Sequence, residues 1–189
     1  IGYFDLPEPE HLSSVLSDDL QEEYANKLFG YLQAFNRNML AETLSHLQTQ
    51  LYNAADSIAE IRLFLTDLFL QIKERINHLY NNANIPFPGN AEIIKSIEER
   101  YYLYEIILYL TEQFELVISS IGSSSRESVL DDILHYINHN YTNNITLENI
   151  APLFGYNSSY LGKIFSKKMG QNFNSYVDQV RIEHSKELL

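Results

Sequence analysis

Cysteine is absent from the 189 residues, so disulfides and thiolate chemistry are excluded and a reducing, cytoplasmic setting is compatible with the chain. Long apolar runs are also missing. No stretch approaches the roughly 20 residues that a membrane-spanning helix requires. The opening Ile1-Gly-Tyr-Phe-Asp-Leu-Pro has neither the basic segment nor the apolar core of a secretory signal. It also lacks an initiator Met, which points to an excised fragment of a longer protein. No Gly-x-Ser-x-Gly nucleophile motif and no phosphate-cradling glycine loop occurs, which argues against an enzyme. Positive charge is scarce: 13 Lys and Arg face 25 Asp and Glu, a net charge of −12 and the wrong sign for a protein that coats nucleic acid nonspecifically.

That deficit is unevenly spread. From Ala151 onward, five cations against three anions leave +2, so the first 150 residues carry −14. An acidic body with a mildly basic end suits a DNA reader whose contacts are confined to that end. The apolar fraction of 45% and the 14 Tyr and 10 Phe supply material for a folded core.

Three clusters punctuate the chain: Leu6-Pro-Glu-Pro, Asn84-Ile-Pro-Phe-Pro-Gly-Asn90 and Gly122-Ser-Ser-Ser. Proline and glycine there stop helices, and the serine run is the expected domain boundary. Between them the apolar spacing is helical and no convincing period-two strand occurs. Leu40, Leu44, Leu47 and Leu51 share one face. Ile58, Ile61, Leu65, Leu68, Ile72, Ile76 and Leu79 form a longer stripe, which Phe64 and Phe69 widen until that helix should lie at the centre of a bundle. Leu103, Ile106, Leu110, Phe114, Val117 and Ile121 form a third. The spacing predicts helices near 18–35, 38–53, 56–81, 90–98 and 101–121. The fold expected is all-α: a linker over 1–16, an antiparallel helical bundle over 17–122 for regulation or dimerisation, and a homeodomain-like helix-turn-helix subdomain over 123–189.

In that last segment, Val129, Leu130, Ile133, Leu134 and Ile137 make the apolar face of one helix. Thr146 can cap the next, which carries Leu147, Ile150, Ala151 and Phe154, and Pro152 should kink it by removing the hydrogen bond to Glu148. Gly155-Tyr-Asn157 reads as a sharp turn with Asn157 capping a helix whose inner residues are Leu161, Ile164, Phe165 and Met169, closed by Gly170. The outward set is Ser158, Ser159, Gly162, Lys163, Ser166 and Lys167, short or cationic as close approach to DNA demands. Two short helices so joined make a helix-turn-helix, although spacing alone leaves a plain helical hairpin open.

The residue order goes further. Ile145-Thr-Leu-Glu-Asn-Ile-Ala151, Gly155-Tyr-Asn-Ser-Ser-Tyr-Leu161, Ile164-Phe-Ser-Lys-Lys-Met-Gly170, Phe173-Asn-Ser-Tyr176 and the run from Arg181 to Leu189 resemble the first half of the AraC/XylS-type DNA-binding domain, over roughly residues 129–189. The resemblance implies a sequence-specific transcription regulator that binds double-stranded DNA and, in the intact protein, meets RNA polymerase. It implies base reading at Ser159, Gly162 and Lys163. It implies backbone contacts at Ser158, at Lys167 and at the helix end capped by Asn157, with Ser166 grouped beside them, and it gives Arg181 a structural or phosphate-facing role. It also implies a second unit, absent here, beyond a connecting helix that the chain enters near its end. Gly162 departs from the pattern, having no side chain to read a base, so Lys163 and DNA shape would carry specificity in this half.

The segment in front, with Tyr102-Leu-Tyr-Glu-Ile-Ile-Leu-Tyr-Leu110, resembles the helical linker of AraC-type response regulators. That implies an upstream receiver or sensor and a bundle that dimerises or relays a signal. A helical protein-interaction module without DNA binding is the alternative; it would present an apolar or acidic face over 158–168, against which the serines and lysines argue. His135 and His139 have a spacing that can chelate zinc, but with no third ligand evident they read as solvated helix residues, and no metal or cofactor is expected. Asp18-Asp19, Glu22-Glu23, Glu98-Glu99 and Asp131-Asp132 read as solvated faces.

Overall fold

The computed structural model describes residues 16–53, 56–81, 83–122 and 128–187. The expected N-terminal linker up to residue 15 and the serine linker over 123–127 lie outside the described residues. Every regular element among the described residues is helical. The bundle comprises α1 (Asp18–Gln33), α2 (Arg37–Tyr52), α3 (Ile58–Leu79), α4 (Asn90–Glu98) and α5 (Leu103–Ile121). There follow α6 (Val129–Asn140), α7 (Leu147–Ile150), a 3-10 turn (Ala151–Phe154), α8 (Ser158–Met169) and α9 (Phe173–Glu187).

Apolar stripes coincide with side-chain caps at the start of α1, α2 and α3, whereas α4 starts at Gly89 without one. Ser17 starts α1 by accepting the amide of Leu20, and Ser57 with Glu60 closes a capping box on α3. The stripe of α2 is buried as its period demands: Leu40, Leu44, Leu47 and Leu51 show at most 1% exposure. As its all-round apolar surface predicts, α3 runs through the centre. Leu65, Leu68, Phe69, Ile72 and Ile76 are wholly inaccessible, and each such side chain contributes about 1.5–3 kcal/mol of burial. The helix packs on α1 and α4, while α2 packs on α1 and α5. The Pro-Phe-Pro connection is tied to α3 by Lys73, whose ammonium donates to the Pro88 carbonyl at 2.6 Å and to Asn90 at 2.7 Å.

A second, smaller core is built from α6 to α9: Ile133, Ile137, Ile145, Ile150, Ala151, Phe154, Leu161, Phe165, Phe173, Val177 and Val180. Ala34, at the end of α1, also belongs to this core and not to the bundle's. The two modules therefore touch. One expectation changes accordingly: His135 and His139 are only partly solvated. Both are half-buried where the modules meet, His135 stacked on Tyr80 (centroids 5.7 Å, interplanar angle 13°) and edge-on to Phe35, His139 4.8 Å from the Tyr80 ring. Residues far away in sequence supply these rings, so helix periodicity could not reveal them.

Candidate nucleic-acid interface

The geometry of the second module begins at Thr146. Its hydroxyl accepts the Asn149 amide at 3.3 Å, and Asn149 Oδ1 accepts the Thr146 amide at 2.9 Å, satisfying two orphan donors reciprocally. The helix so started keeps α geometry for four residues only. At Ala151 it tightens into the 3-10 turn, with Pro152 in that turn's first positions. The kink expected from Pro152 thus takes the form of a change of helix type: proline cannot supply the amide an α-helix needs there.

The 3-10 turn ends in Gly155 at φ 77°, with the Tyr156 amide bonded back to the Ala151 carbonyl at 3.0 Å. This is a Schellman closure, whose left-handed residue is cheap for glycine. Asn157 then caps α8, its Oδ1 accepting the Tyr160 amide at 2.8 Å. Leu161 and Phe165 hold α8 inward, Phe165 lying edge-on to Phe173 at 5.3 Å and to Tyr176 at 5.5 Å. Gly170, at φ 69°, closes the helix.

On the outer side, Ser159, Lys163, Ser166 and Lys167 are exposed, and Ser158 is half-buried beside them. Lys168 is exposed too, a cation counted in the sequence but left out of the expected contact set. Gly162 is half-buried against α7: a Cβ there would stand 3.0 Å from Leu147 Cδ1. Its missing side chain lets the two helices cross closely. Ser158, Ser159, Gly162, Lys163 and Ser166 line a shallow groove completed by Leu147, Glu148, Asn172 and Phe173. Sequence reasoning missed Glu148 and Asn172 as groove residues. A signal existed for Asn172, which caps α9 by accepting the Ser175 amide at 2.9 Å.

Arg181 lies away from that groove. Its guanidinium donates to the Tyr141 carbonyl (2.9 Å), to the Asn143 carbonyl (3.0 Å) and to Asp178 (3.2 Å). It thereby satisfies carbonyls just past the end of α6, where a cation is favoured. Among the described residues, no group of three or more His, Cys, Asp or Glu is placed to hold a metal ion. No described helix is long and apolar enough to cross a membrane.

No family model matches the chain, and no solved structure matches it. Curated proteins do. It is 33% identical over 72 residues to the HTH-type transcriptional regulator YtdP of Bacillus subtilis (strain 168), which is 38% of this chain and 9% of that protein. It is 34% identical over 91 residues to the lactose operon transcription activator of Staphylococcus xylosus, covering 47% of this chain and 31% of the activator. With the HTH-type transcriptional activator AarP of Providencia stuartii it shares 36% identity over 64 residues, 33% of this chain and 47% of that protein. The chain spans less than a third of the length of the first two relatives. By its motif and by these matches, the chain is similar to HTH-type transcriptional regulators, activators among them.

Proposed function

We propose that the chain is the DNA-binding and coupling part of a sequence-specific transcription regulator of AraC/XylS type, with α8 entering a major groove. The observation that carries this reading is the two-sidedness of α8. Leu161 and Phe165 anchor it, while Ser159, Lys163, Ser166 and Lys167 are exposed on a helix that itself carries no acidic residue, with Glu148 at the groove's edge. Short hydroxyls allow close approach to base edges and lysines meet acceptors or phosphates. In this reading Lys163 and Ser159 read bases. Gly162 contributes backbone proximity, since a Cβ there would stand 3.0 Å from Leu147 Cδ1, closer than ordinary contact. Ser158, Ser166, Lys167 and the α8 amides beside Asn157 hold the phosphate backbone. Arg181 serves the fold of the module.

The wider reading follows the same resemblance. The intact protein would carry a second unit for the adjacent groove and an upstream receiver or sensor, making this the effector part of a two-component protein. The bundle would pair two copies, and the assembled regulator would act on RNA polymerase in the cytoplasm; regulation, not catalysis, is its task. The test is duplex binding by a form containing both units, against its selected operator and against mixed-sequence DNA. Lys163→Ala should reduce specific binding by about 1–3 kcal/mol and leave nonspecific binding nearly unchanged. Lys167→Ala should weaken both and lower the salt slope by about one. If neither substitution alters binding, α8 is not the reading helix.

A further inference from the structure

The corner between α1 and α2 faces the turn between the 3-10 segment and α8, and both are Schellman closures. In the first, Phe35 takes the left-handed conformation at φ 54° and the Asn36 amide bonds to the Tyr31 carbonyl at 3.0 Å. In the second, Gly155 holds that place. A phenylalanine in the left-handed region is strained, and such strain persists only where the surroundings over-determine it. Asn36 supplies much of the reason. Its Oδ1 accepts the Met39 amide at 3.2 Å, capping α2, while its Nδ2 donates to the Leu153 carbonyl at 2.8 Å, 117 residues away.

Three contacts surround that bond. Gly30 has no side chain where Leu153 sits: a Cβ there would lie 2.8 Å from Leu153 Cδ2. Gln33 and Asn140, 2% and 4% exposed, share a buried amide hydrogen bond of 2.6 Å. Ala34 enters the core of the second module. The carbonyl that Asn36 takes up sits in the segment that Pro152 forces out of α geometry, one turn before α8.

We propose that Asn36, set in the strained α1–α2 corner, is a latch that joins the bundle to the helix-turn-helix and fixes the orientation of α8. The proposal rests on the reading of α8 as the DNA-reading helix and adds how that helix is governed. Displacement of the start of α2 pulls on the Leu153 carbonyl directly. The 3-10 turn is a short, stiff connection, so α8 must follow or the bond must break. A change at the start of α2 reaches the segment before α8 through a side chain that serves both modules, beside the packing of Gly30 on Leu153 and the Gln33–Asn140 bond.

Asn36→Asp isolates the latch from the cap. The carboxylate still caps α2, but it has no donor and sets a negative charge against the Leu153 carbonyl. The 189-residue chain carrying it should keep amide exchange protection in α2 and α3 and lose about tenfold over residues 150–165. Gly30→Val, which pushes bulk at Leu153 from the other side, should give the same regional loss. Unchanged protection over 150–165 in both variants overturns the latch, as does an equal loss throughout the bundle. Lys163→Ala provides the separation, with binding to a mixed-sequence duplex and to a selected operator measured alongside exchange. If Lys163→Ala weakens specific binding while Asn36→Asp leaves exchange unaltered, the latch fails and the DNA reading stands. Regional loosening in Asn36→Asp, with DNA binding untouched by Lys163→Ala, keeps the latch and removes the reading.

Discussion

Along its 22 residues α3 buries eight side chains, whereas α8, with 12 residues, buries only Leu161 and Phe165. The bundle is held by breadth: stripes on four long helices meet around Leu65, Leu68, Phe69 and Ile72, none of them exposed. The second module is held by particular positions. Thr146 starts one helix, Gly155 and Asn157 turn the chain into the next, and Gly170 ends it. A helix that must leave one face free cannot be stabilised all round, so caps, left-handed turns and one phenylalanine substitute for area. Small cores have less reserve for the loss of any single contact.

The sharpest way to break the comparison is to remove one ring from each core. Phe69 and Phe165 are both fully buried, so truncation of either to alanine should cost about 3–5 kcal/mol. The outcomes should nevertheless differ. Phe69→Ala should lower the bundle's unfolding temperature and leave it folded. Phe165→Ala should remove exchange protection from α6 to α9 altogether while the bundle retains its own. Hydrogen exchange resolves the two regions, and a uniform loss in both variants would mean that the cores are a single cooperative unit.

The paired turns offer a smaller contrast. Gly155→Ala places a Cβ on a backbone at φ 77° and should cost about 1–2 kcal/mol, read as a lowered midpoint in denaturant. Phe35→Gly relieves the left-handed strain but removes a half-buried ring that packs on the bundle core and lies edge-on to His135, a contact of about 0.5–1.5 kcal/mol beyond its burial. A net loss in denaturant is expected; unchanged stability would mean that relief of the backbone offsets the ring.

These two turns also separate what the sequence discloses from what it conceals. Gly155 and Asn157 are local signals: glycine permits the conformation and asparagine caps the next residues, so each can be assigned without any partner. The stripe Leu40, Leu44, Leu47 and Leu51 is legible for the same reason, since periodicity reports a buried face whatever covers it. Gln33 and Phe35 carry no such signal, and the local cap that Asn36 provides does not disclose its second bond. Their partners Asn140, His135 and Leu153 lie 100 or more residues along the chain. The same blindness led His135 and His139 to be read as solvated. On the outer face of α8, which we propose reads DNA, charge and size marked out Ser159, Lys163 and Lys167. Only the packing against Leu147 discloses why position 162 is glycine.

The smallest contrast lies in the caps and is one of charge. The box that starts α3 is ionic: Glu60 accepts from the Ser57 amide and hydroxyl, both at 2.8 Å. The box that starts α7 pairs Thr146 with a neutral amide, Asn149. Hydrogen bonding to the Ser57 backbone first, and then to its hydroxyl, holds the Glu60 carboxyl below its ordinary value. A depressed folded-state pKa contributes stability that is present above the unfolded carboxylate pKa of about 4.3 and is lost as pH falls through the folded value. Exchange protection in the first turn of α3 should therefore fall on acidification, and Glu60→Gln should flatten that dependence. Over the same window the first turn of α7 should not respond through its cap, since neither Thr146 nor Asn149 titrates. A difference between wild type and Glu60→Gln that persists undiminished in acid would show that Glu60 acts there through its shape and not through its charge.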